Sequence, residues 1–387
     1  MKTTEPRAKG VGTFAWASFF NDMGSDMIYP IWPVFITSIL GANVAVLGLI
    51  DGLGNAIVSI SQAVSGYWSD RLRKRKVFVW TGYLFGAVSR LGYGLASSWP
   101  PIIPLRILDR AGKMRGAPRD AMVADLSNDR NRGRHFGLLR TMDNLGALVG
   151  IVICLLLFER LGYRALFMLA AAPSLLSALL ILFKTHDPSD GDKVYKGVSF
   201  AQLTPNLRWL LAATAIFSLG SFSYSFLLLY AKSFGFRVGT LPLLYLIFTA
   251  AGALLSLPCG RLSDRIGRKP VLLLSYLVWV LTASVLLFSH SPVAVVSAFL
   301  LYGLHLAGLE TVQKAFIAEL VPQAFRASLL GGFQMVMGLC AFPASFLAGL
   351  LWDRIDPSAP LWWAMGLGLL ASLVLLRVTG KPVQPSV

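Results

Sequence analysis

Long apolar blocks recur along the whole chain and alternate with short polar segments. Most of these blocks are close to the roughly 20 residues that a helix needs to cross a bilayer. They are too long for the strands of a membrane barrel, so the pattern predicts an all-α polytopic membrane protein with twelve transmembrane helices. The predicted spans are 11–38, 44–68, 77–97, 100–126, 136–158, 164–183, 209–232, 239–260, 270–289, 292–319, 327–351 and 360–378.

The fourth block decides the topology, because the stretch from Arg106 to Asp125 is rich in charged residues. If it stayed outside the membrane, every later loop would change side. With twelve spans, most basic residues lie on the side of the N-terminus. This excess predicts that both termini are cytoplasmic, because cytoplasmic loops are enriched in Lys and Arg. The basic residues of the opposite side are Arg160, Arg164, Lys232, Arg237 and Arg354.

A repeated segment divides the chain into halves. The sequence GYWSDRLRKRK at 66–76 returns as GRLSDRIGRKP at 260–270, each time after the second span of its half. The pattern therefore predicts an N-terminal six-helix bundle at 1–183, a cytoplasmic linker at 184–208 and a C-terminal six-helix bundle at 209–387. Parallel repeats of this kind are typical of secondary transporters.

The repeated segment resembles the loop motif Gly-x-x-x-Asp-Arg-x-Gly-Arg/Lys-Arg/Lys of the major facilitator superfamily (MFS). The first copy departs from the motif where Arg73 replaces the inner glycine. The resemblance implies a loop that latches the two halves during the conformational cycle, whereas its basic residues alone could serve only to orient the chain. The matching residues are Gly66, Asp70, Arg71, Lys74 and Arg75 in the first copy and Gly260, Asp264, Arg265, Gly267, Arg268 and Lys269 in the second.

The resemblance also implies a multi-pass protein of the inner (plasma) membrane that works by alternating access. It implies that the first and fourth helices of each half line a central cavity, that protons drive transport and that a monomer suffices. The expected partners are the lipid bilayer, a small-molecule substrate and protons.

Composition excludes several other classes. Hydrophobic residues make up 55% of the chain and charged residues only 14%, against about 25% charged in soluble domains. The net charge of +16 resides in short loops rather than on one solvated face, which argues against nucleic-acid binding. Neither a phosphate-binding glycine loop nor a hydrolase motif is present, so we expect neither ATP-driven pumping nor an enzyme. We predict no cofactor and no metal.

Four charged residues of the fourth span share one helical face. Arg106, Asp109, Arg110 and Lys113 follow the spacing i, i+3, i+4, i+7. Facing lipid, each would cost about 2.5–3.5 kcal/mol near the bilayer centre. We therefore expect this face to line a wet cavity.

The first span carries Asp22, Asp26 and Tyr29, largely on the same face. Asp26 lies at about the depth of Asp109, if the helix begins near Phe14. It could form a salt bridge with Arg106 or Arg110, or it could carry a proton. If Asp26 is paired, Asp22 or Glu310 becomes the better carrier, because a nearby arginine lowers the pKa of a carboxyl group.

The seventh and tenth spans supply the remaining cavity candidates. Tyr224 could contact substrate or simply pack between helices. Glu310 could carry a proton or pair with Lys314 one turn later. His305 could be a satisfied structural residue or could exchange protons near neutral pH.

Arg140 and Asp143 near the cytoplasmic end of the fifth span are candidates for an inner gate. This span lacks the Gly-Pro signature of the family's drug/proton antiporters. The sequence predicts a proton-coupled secondary transporter that exports a small anionic, zwitterionic or amphiphilic organic solute. The alternatives are an organic-anion uptake permease, a lipid or amphiphile flippase, and a non-transporting membrane sensor.

Overall fold

A computed structural model describes residues 5–72, 74–127, 131–187, 204–289, 291–320 and 326–379. Their regular secondary structure is entirely helical. Eight segments of this described part are long and apolar enough to cross a membrane. The all-helical membrane fold is therefore confirmed at this coarser level, whereas the count of twelve spans and the side of the termini stay predictions.

The described residues of the first half form helices α1 to α7. A π-helical turn, Phe35–Ile39, follows α2, and a 3-10 turn, Gly112–Arg115, separates α5 from α6. Helix α7 contains both the fifth and the sixth predicted spans, which join at Gly162 with a φ of 68°. The helices are α1 (Glu5–Asp26), α2 (Trp32–Val34), α3 (Val44–Leu72), α4 (Arg75–Leu95), α5 (Ile102–Ala111), α6 (Gly116–Asp125) and α7 (Arg132–Lys184).

The second half follows the same order. A 3-10 turn, Val238–Thr240, precedes its third long helix. The helices are α8 (Pro205–Gly220), α9 (Tyr224–Ser233), α10 (Leu241–Ile266), α11 (Arg268–Phe288), α12 (Pro292–Leu320), α13 (Arg326–Arg354) and α14 (Ala359–Leu376).

The repeat inferred from the loop motif also appears in the helix boundaries. The first helix of each half is interrupted at the same place, α1 ending at Asp26 and α8 at Gly220. Helices α3 and α10 end at Leu72 and Ile266, which have the same offset along the chain as the two motif copies. Such interruptions leave backbone N–H and C=O groups without helical partners inside a predicted span.

Two compact units make up the molecule. Unit 1 comprises Met1–Ala42, Ile57–Tyr195 and Val238–Pro242, and unit 2 comprises Asn43–Ala56, Lys196–Arg237 and Leu243–Val387. The first part of α3 thus packs with unit 2, although the sequence repeat assigns this helix to the first half. Most of the predicted linker, residues 188–203, lies outside the described residues.

Each unit is held together by helix contacts around its own core. In unit 1, α7 packs along both α1 and α4, and the core between them includes Phe14, Tyr83 and Ile181. In unit 2, α11 packs along α12 and α14. The side chains of Trp279 and Tyr276 are fully buried there.

The fourth predicted span is interrupted a few residues before Pro118, a proline that predicts a kink or an end of the helix. Its α-helical geometry stops at Ala111 and resumes at Gly116. The backbone of this span is in close contact with α4 at the interruption: a Cβ built on Gly82 would lie 2.5 Å from the carbonyl oxygen of Gly112. Arg115 donates a hydrogen bond of 2.9 Å to that same carbonyl, which stabilises the turn.

Candidate functional site

The interruption after α1 brings two aromatic rings against the charged face of α5. The guanidinium carbon of Arg106 lies 4.5 Å from the ring centroid of Trp32 and 5.8 Å from that of Tyr29. The guanidinium carbon of Arg110 lies 5.1 Å from the centroid of Tyr29. Cation–π contacts of this kind strengthen when they are removed from water.

A single carboxylate lies between the two arginines. An Asp109 oxygen is 3.7 Å from Nη1 of Arg106 and 3.7 Å from Nε of Arg110. These are ion pairs at distances longer than a hydrogen bond. Arg106 is 3% exposed and Asp109 is 8% exposed, so the group is withdrawn from bulk solvent.

Arg90 of α4 adds a third guanidinium to this region. Its Nη2 donates a hydrogen bond of 2.7 Å to the hydroxyl of Ser25, and its side chain is buried. Nη1 has no hydrogen-bond acceptor in the described part of the chain. Gly24 makes room for it, because a Cβ there would lie 2.7 Å from Nη1. We call Arg90, Arg106 and Arg110 together with Asp109 the arginine cluster.

Arg90 belongs to the third predicted span, where the sequence predicts an interhelical pair or a gate residue rather than a substrate contact. An isolated arginine in an otherwise apolar helix gives no periodic signal that would connect it to another helix. A buried guanidinium remains costly unless it meets acceptors or a ligand. The free-energy cost of placing an arginine inside a predicted span is the sequence signal that could have identified Arg90 as a site residue.

The cluster can hold an anion with an apolar body. Arginine binds carboxylate through its planar N–H edge while its face stays stacked on an aromatic ring. The rings of Trp32 and Tyr93 pack behind the guanidinium groups with centroids 4.9 Å apart, and both side chains are buried. The arrangement therefore combines charge and aromatic contact in one place.

Two acidic residues of α1 lie close to the break that follows this helix. Asp22 is half-buried and accepts a hydrogen bond of 2.8 Å from the amide of Asn21. Asp26 is 9% exposed, at the last residue before the break in the helix. Whether it pairs with Arg106 or Arg110 stays a prediction, as does its role as a proton carrier.

Lys113, the fourth charge of the predicted face, lies in the 3-10 turn and is half-buried. It is outside the α-helix whose periodicity assigned it to that face. In unit 2, Tyr224 begins α9, directly after the break in the seventh span, and its ring lies 5.2 Å from that of Tyr245.

His305 is enclosed by aromatic side chains rather than exposed to a polar cavity. Its ring lies 5.4 Å from Phe217 and 5.5 Å from Trp279, and its side chain has no exposed surface. Nδ1 is 2.8 Å from the carbonyl oxygen of Ser275, which can only accept, so Nδ1 carries the proton. This placement favours the interpretation of His305 as a structural residue over the interpretation that it exchanges protons. Glu310 is exposed on the same helix.

The inner-gate candidates lie at the end of unit 1 where α6 meets α7. Asp143 lies 3.7 Å from Nη1 of Arg119. Arg119 also binds the carboxylate of Asp120 at 3.0 Å and donates to the hydroxyl of Ser18 at 2.7 Å. It thereby connects α1, α6 and α7. Arg140 is exposed, so Arg119 is the more central basic residue of this group.

The second motif copy forms a compact charged turn. Gly267 precedes α11 with a φ of 96°, a conformation that favours glycine. Arg268 binds Asp264 at 2.6 Å and lies 3.7 Å from Glu319. Lys269 donates to the carbonyl oxygen of Leu376 at 2.7 Å. Gly260 is half-buried and Arg265 is exposed.

The first motif copy also forms an ion pair with an acidic residue of the fourth span. Arg75 binds Asp125 at 2.5 Å, and Asp125 and Glu319 are separated by the same offset as the two motif copies. In each half, therefore, a basic residue of the motif meets an acidic residue near the end of the fourth span.

Gly66 is half-buried, Lys74 is exposed, and Arg71 lies over the ring of Trp68. The Asp70 side chain and Arg73 lie outside the described residues.

Comparison with known proteins agrees with this architecture. The family profile described as Major Facilitator Superfamily matches residues 14–230 and 208–387. An uncharacterized MFS-type transporter of Methanocaldococcus jannaschii is 35% identical over 381 residues, which is 96% of this chain and 95% of the relative.

Two further similarities are informative. The multidrug resistance protein MdtG of Citrobacter koseri is 26% identical over 298 residues, covering 72% of this chain and 73% of the relative. A crystal structure of the nucleoside transporter NupG superposes with a TM-score of 0.75 at 16% identity and covers 95% of this chain and 98% of that one. At that identity the structural similarity supports the fold alone.

Proposed function

Because this chain belongs to the major facilitator superfamily of membrane transporters, we propose that it moves a small organic anion across the plasma membrane by proton-coupled secondary transport. The arginine cluster is the observation that carries the proposal. The guanidinium groups of Arg106 and Arg110 pair with Asp109 and lie over aromatic rings, and Arg90 adds a third, buried guanidinium group. Fold alone names no substrate, so the proposal rests on this site.

The chemistry of the cluster selects the substrate class. A carboxylate or phosphate can bridge the N–H edges of Arg106 and Arg110 without displacing the rings from their faces. The half-buried ring of Tyr29, beside Arg110, favours a substrate whose body is aromatic or amphiphilic. A zwitterion fits as well if its cationic group reaches Asp22 or Asp26.

We propose export as the direction of transport. The similarity to a protein named as a multidrug resistance protein supports the outward movement of a small organic compound. Uptake of the same anion by the same site is the competing direction. Transport measured from each face of the membrane distinguishes the two.

Proton coupling requires an acidic group that releases its proton in one state of the cycle. Asp26 and Asp22 are our candidates, because they lie on α1 close to the break that carries Tyr29. An arriving anion favours protonation of a nearby carboxyl group, since it places a second negative charge beside it. If the two bind together in this way, they cross in the same direction, which an inward proton gradient drives as uptake. Export against that gradient requires instead that the carboxyl group binds its proton and the site binds its substrate in alternate halves of the cycle.

The test is transport into proteoliposomes of known orientation, using matched pairs of compounds. Each pair is an aromatic carboxylate and its uncharged primary amide, both radiolabelled. We expect the carboxylate to be transported and to compete with other acids, and the amide to do neither. Equal transport of the two compounds would contradict the anion assignment.

The same vesicles test the driving force and the direction. An imposed pH gradient should accelerate carboxylate transport, and an ionophore that collapses the gradient should abolish the acceleration. Unchanged transport after the collapse would contradict proton coupling. Faster transport from the cytoplasmic face would support export, and the reverse would identify an uptake permease.

A further inference from the structure

A second site lies in unit 2, among residues that the transport proposal does not use. A cavity of about 290 Å³ opens beside the loop between α13 and α14. Three aromatic residues line it, together with one carboxylate. The lining residues are Tyr230, Ser233, Phe234, Leu287, Asp356, Pro357, Ser358 and Trp362.

The aromatic rings are held in fixed positions by their neighbours. The ring centroids of Tyr230 and Phe234 are 4.8 Å apart, and the Tyr230 hydroxyl donates to the carbonyl oxygen of Leu286 at 3.2 Å. The ring of Trp362 packs edge-on against Phe288 at 5.5 Å. Preformed rings lose little conformational entropy when a ligand arrives.

The carboxylate of Asp356 is ionised and has no basic partner in the described part of the chain. The backbone amide of Ser358 donates to it at 2.7 Å, and hydrogen bonds from Ser358 lower the pKa of this carboxyl group. Arg354 lies only two residues earlier but forms no ion pair with it. The negative charge of Asp356 therefore lies at the opening of a cavity that is lined by aromatic rings.

We propose that this cavity binds an ammonium group. Aromatic faces attract a cation through their quadrupoles, and a carboxylate beside them adds direct charge attraction. A quaternary ammonium matches best, because its methyl groups contact the rings while its charge needs no hydrogen-bond acceptor. Two sources share this chemistry: a free ammonium compound such as choline, and the head group of a zwitterionic phospholipid.

The site is independent of the arginine cluster, because it lies in the other unit and binds the opposite charge. Its loss should leave carboxylate transport through the arginine cluster measurable. The two proposals can therefore fail separately.

The probe for the first source is choline chloride, titrated calorimetrically into the purified full-length protein at constant ionic strength. The matched neutral compound is 3,3-dimethyl-1-butanol, which has the same shape without the charge. We expect choline to bind and the neutral compound to bind at least about tenfold more weakly, since both the rings and the carboxylate act on the charge.

Two variants test the assignment of residues. Asp356→Asn removes the charge while its amide oxygen still accepts from Ser358, so the loop should keep its conformation. Trp362→Leu removes one ring, and its control is Trp363→Leu, because Trp363 does not line the cavity. We expect the Asp356→Asn and Trp362→Leu variants to bind choline about tenfold more weakly and the control to bind it normally.

Native mass spectrometry with phosphatidylcholine and phosphatidylglycerol distinguishes the sources. Preferential retention of phosphatidylcholine that Asp356→Asn abolishes would identify a lipid head group as the occupant. Choline binding without such lipid selectivity would identify a free ammonium compound. If choline and phosphatidylcholine bind the wild type and the Asp356→Asn variant equally, the proposal is wrong.

Discussion

At the scale of single residues, the arginines of the cluster differ in what their guanidinium groups contact. Arg106 and Arg110 lie over aromatic rings and pair with Asp109, whereas Arg90 is held by a serine hydroxyl. A stacked guanidinium presents its N–H edge, rather than its face, to a ligand. We therefore propose that Arg106 and Arg110 contact the substrate directly.

Replacing Arg110 by alanine should reduce carboxylate transport by at least about tenfold, because it removes a charge-assisted contact worth about 1.5–3 kcal/mol. Arg110→Lys keeps the charge but loses the planar edge, so it should recover only part of the rate. Initial rates in proteoliposomes measure both effects. Arg164→Ala, an exposed position of α7, is the control. Wild-type rates in Arg110→Ala would remove this residue from the site.

Substitutions of Asp26 and of His305 should have opposite effects on proton coupling. Asp26→Asn should transport substrate without acceleration by a pH gradient, since the variant has no proton to release. His305→Gln should keep the acceleration, because the histidine is enclosed by aromatic rings and donates to Ser275. The ratio of rates with and without the gradient is the measurement. Persistent acceleration in Asp26→Asn would transfer the carrier role to Asp22 or Glu310.

At the scale of helices, close packing at small residues determines how the first part of α3 joins α13. A Cβ built on Gly48 would overlap the carbonyl oxygen of Ser345, and one on Gly349 would lie 2.5 Å from that of Val44. The Asp353 carboxylate accepts from the backbone amides of Val44 and Ala45 at 3.2 and 2.7 Å. An acidic group at a helix N-terminus is favourable there.

Gly48→Val should therefore destabilise the protein, because the two backbones must separate to accept the side chain. Overpacking of this kind costs about 1–3 kcal/mol, which should appear as a lower melting temperature in detergent. Gly366→Ala in α14 is the control, since a Cβ there meets nothing within 4 Å. An unchanged melting temperature for Gly48→Val would show that α3 and α13 can separate at this contact without a loss of stability.

At the scale of helices, the sequence reveals the symmetry between the two halves only through the repeated loop motif. The break that ends α1 at Asp26 and α8 at Gly220 has no shared residue pattern, yet it falls at the motif's offset. The break inside the fourth span has no equivalent in α12, which is continuous. Backbone contact between Gly82 and Gly112 accounts for it, and such contacts are invisible to periodicity.

At the scale of the whole molecule, the distribution of basic residues predicts which loops face the cytoplasm. Impermeant maleimide labelling of single cysteines, in a variant lacking Cys154, Cys259 and Cys340, tests this directly. Arg237→Cys should react in intact cells and Arg265→Cys only after permeabilisation, because Arg237 precedes α10 and Arg265 lies in the last turn of that helix, at its other end. The opposite labelling pattern would invert the predicted topology.

By itself, the sequence determined the helical membrane class, the repeat and the family, because these follow from block length and from a motif present twice. It also grouped Arg106, Asp109 and Arg110, since three residues of one helix share a face by periodicity alone.

Only the tertiary structure decided what that face meets. It added Arg90 to the cluster and placed Trp32 against Arg106. It also paired Asp143 with Arg119 and enclosed His305 among aromatic rings. It also assembled the Asp356 cavity from three separate segments. The physical reason is that periodicity specifies the polar side of a helix, whereas partners on other helices depend on how closely and at what height the helices pack.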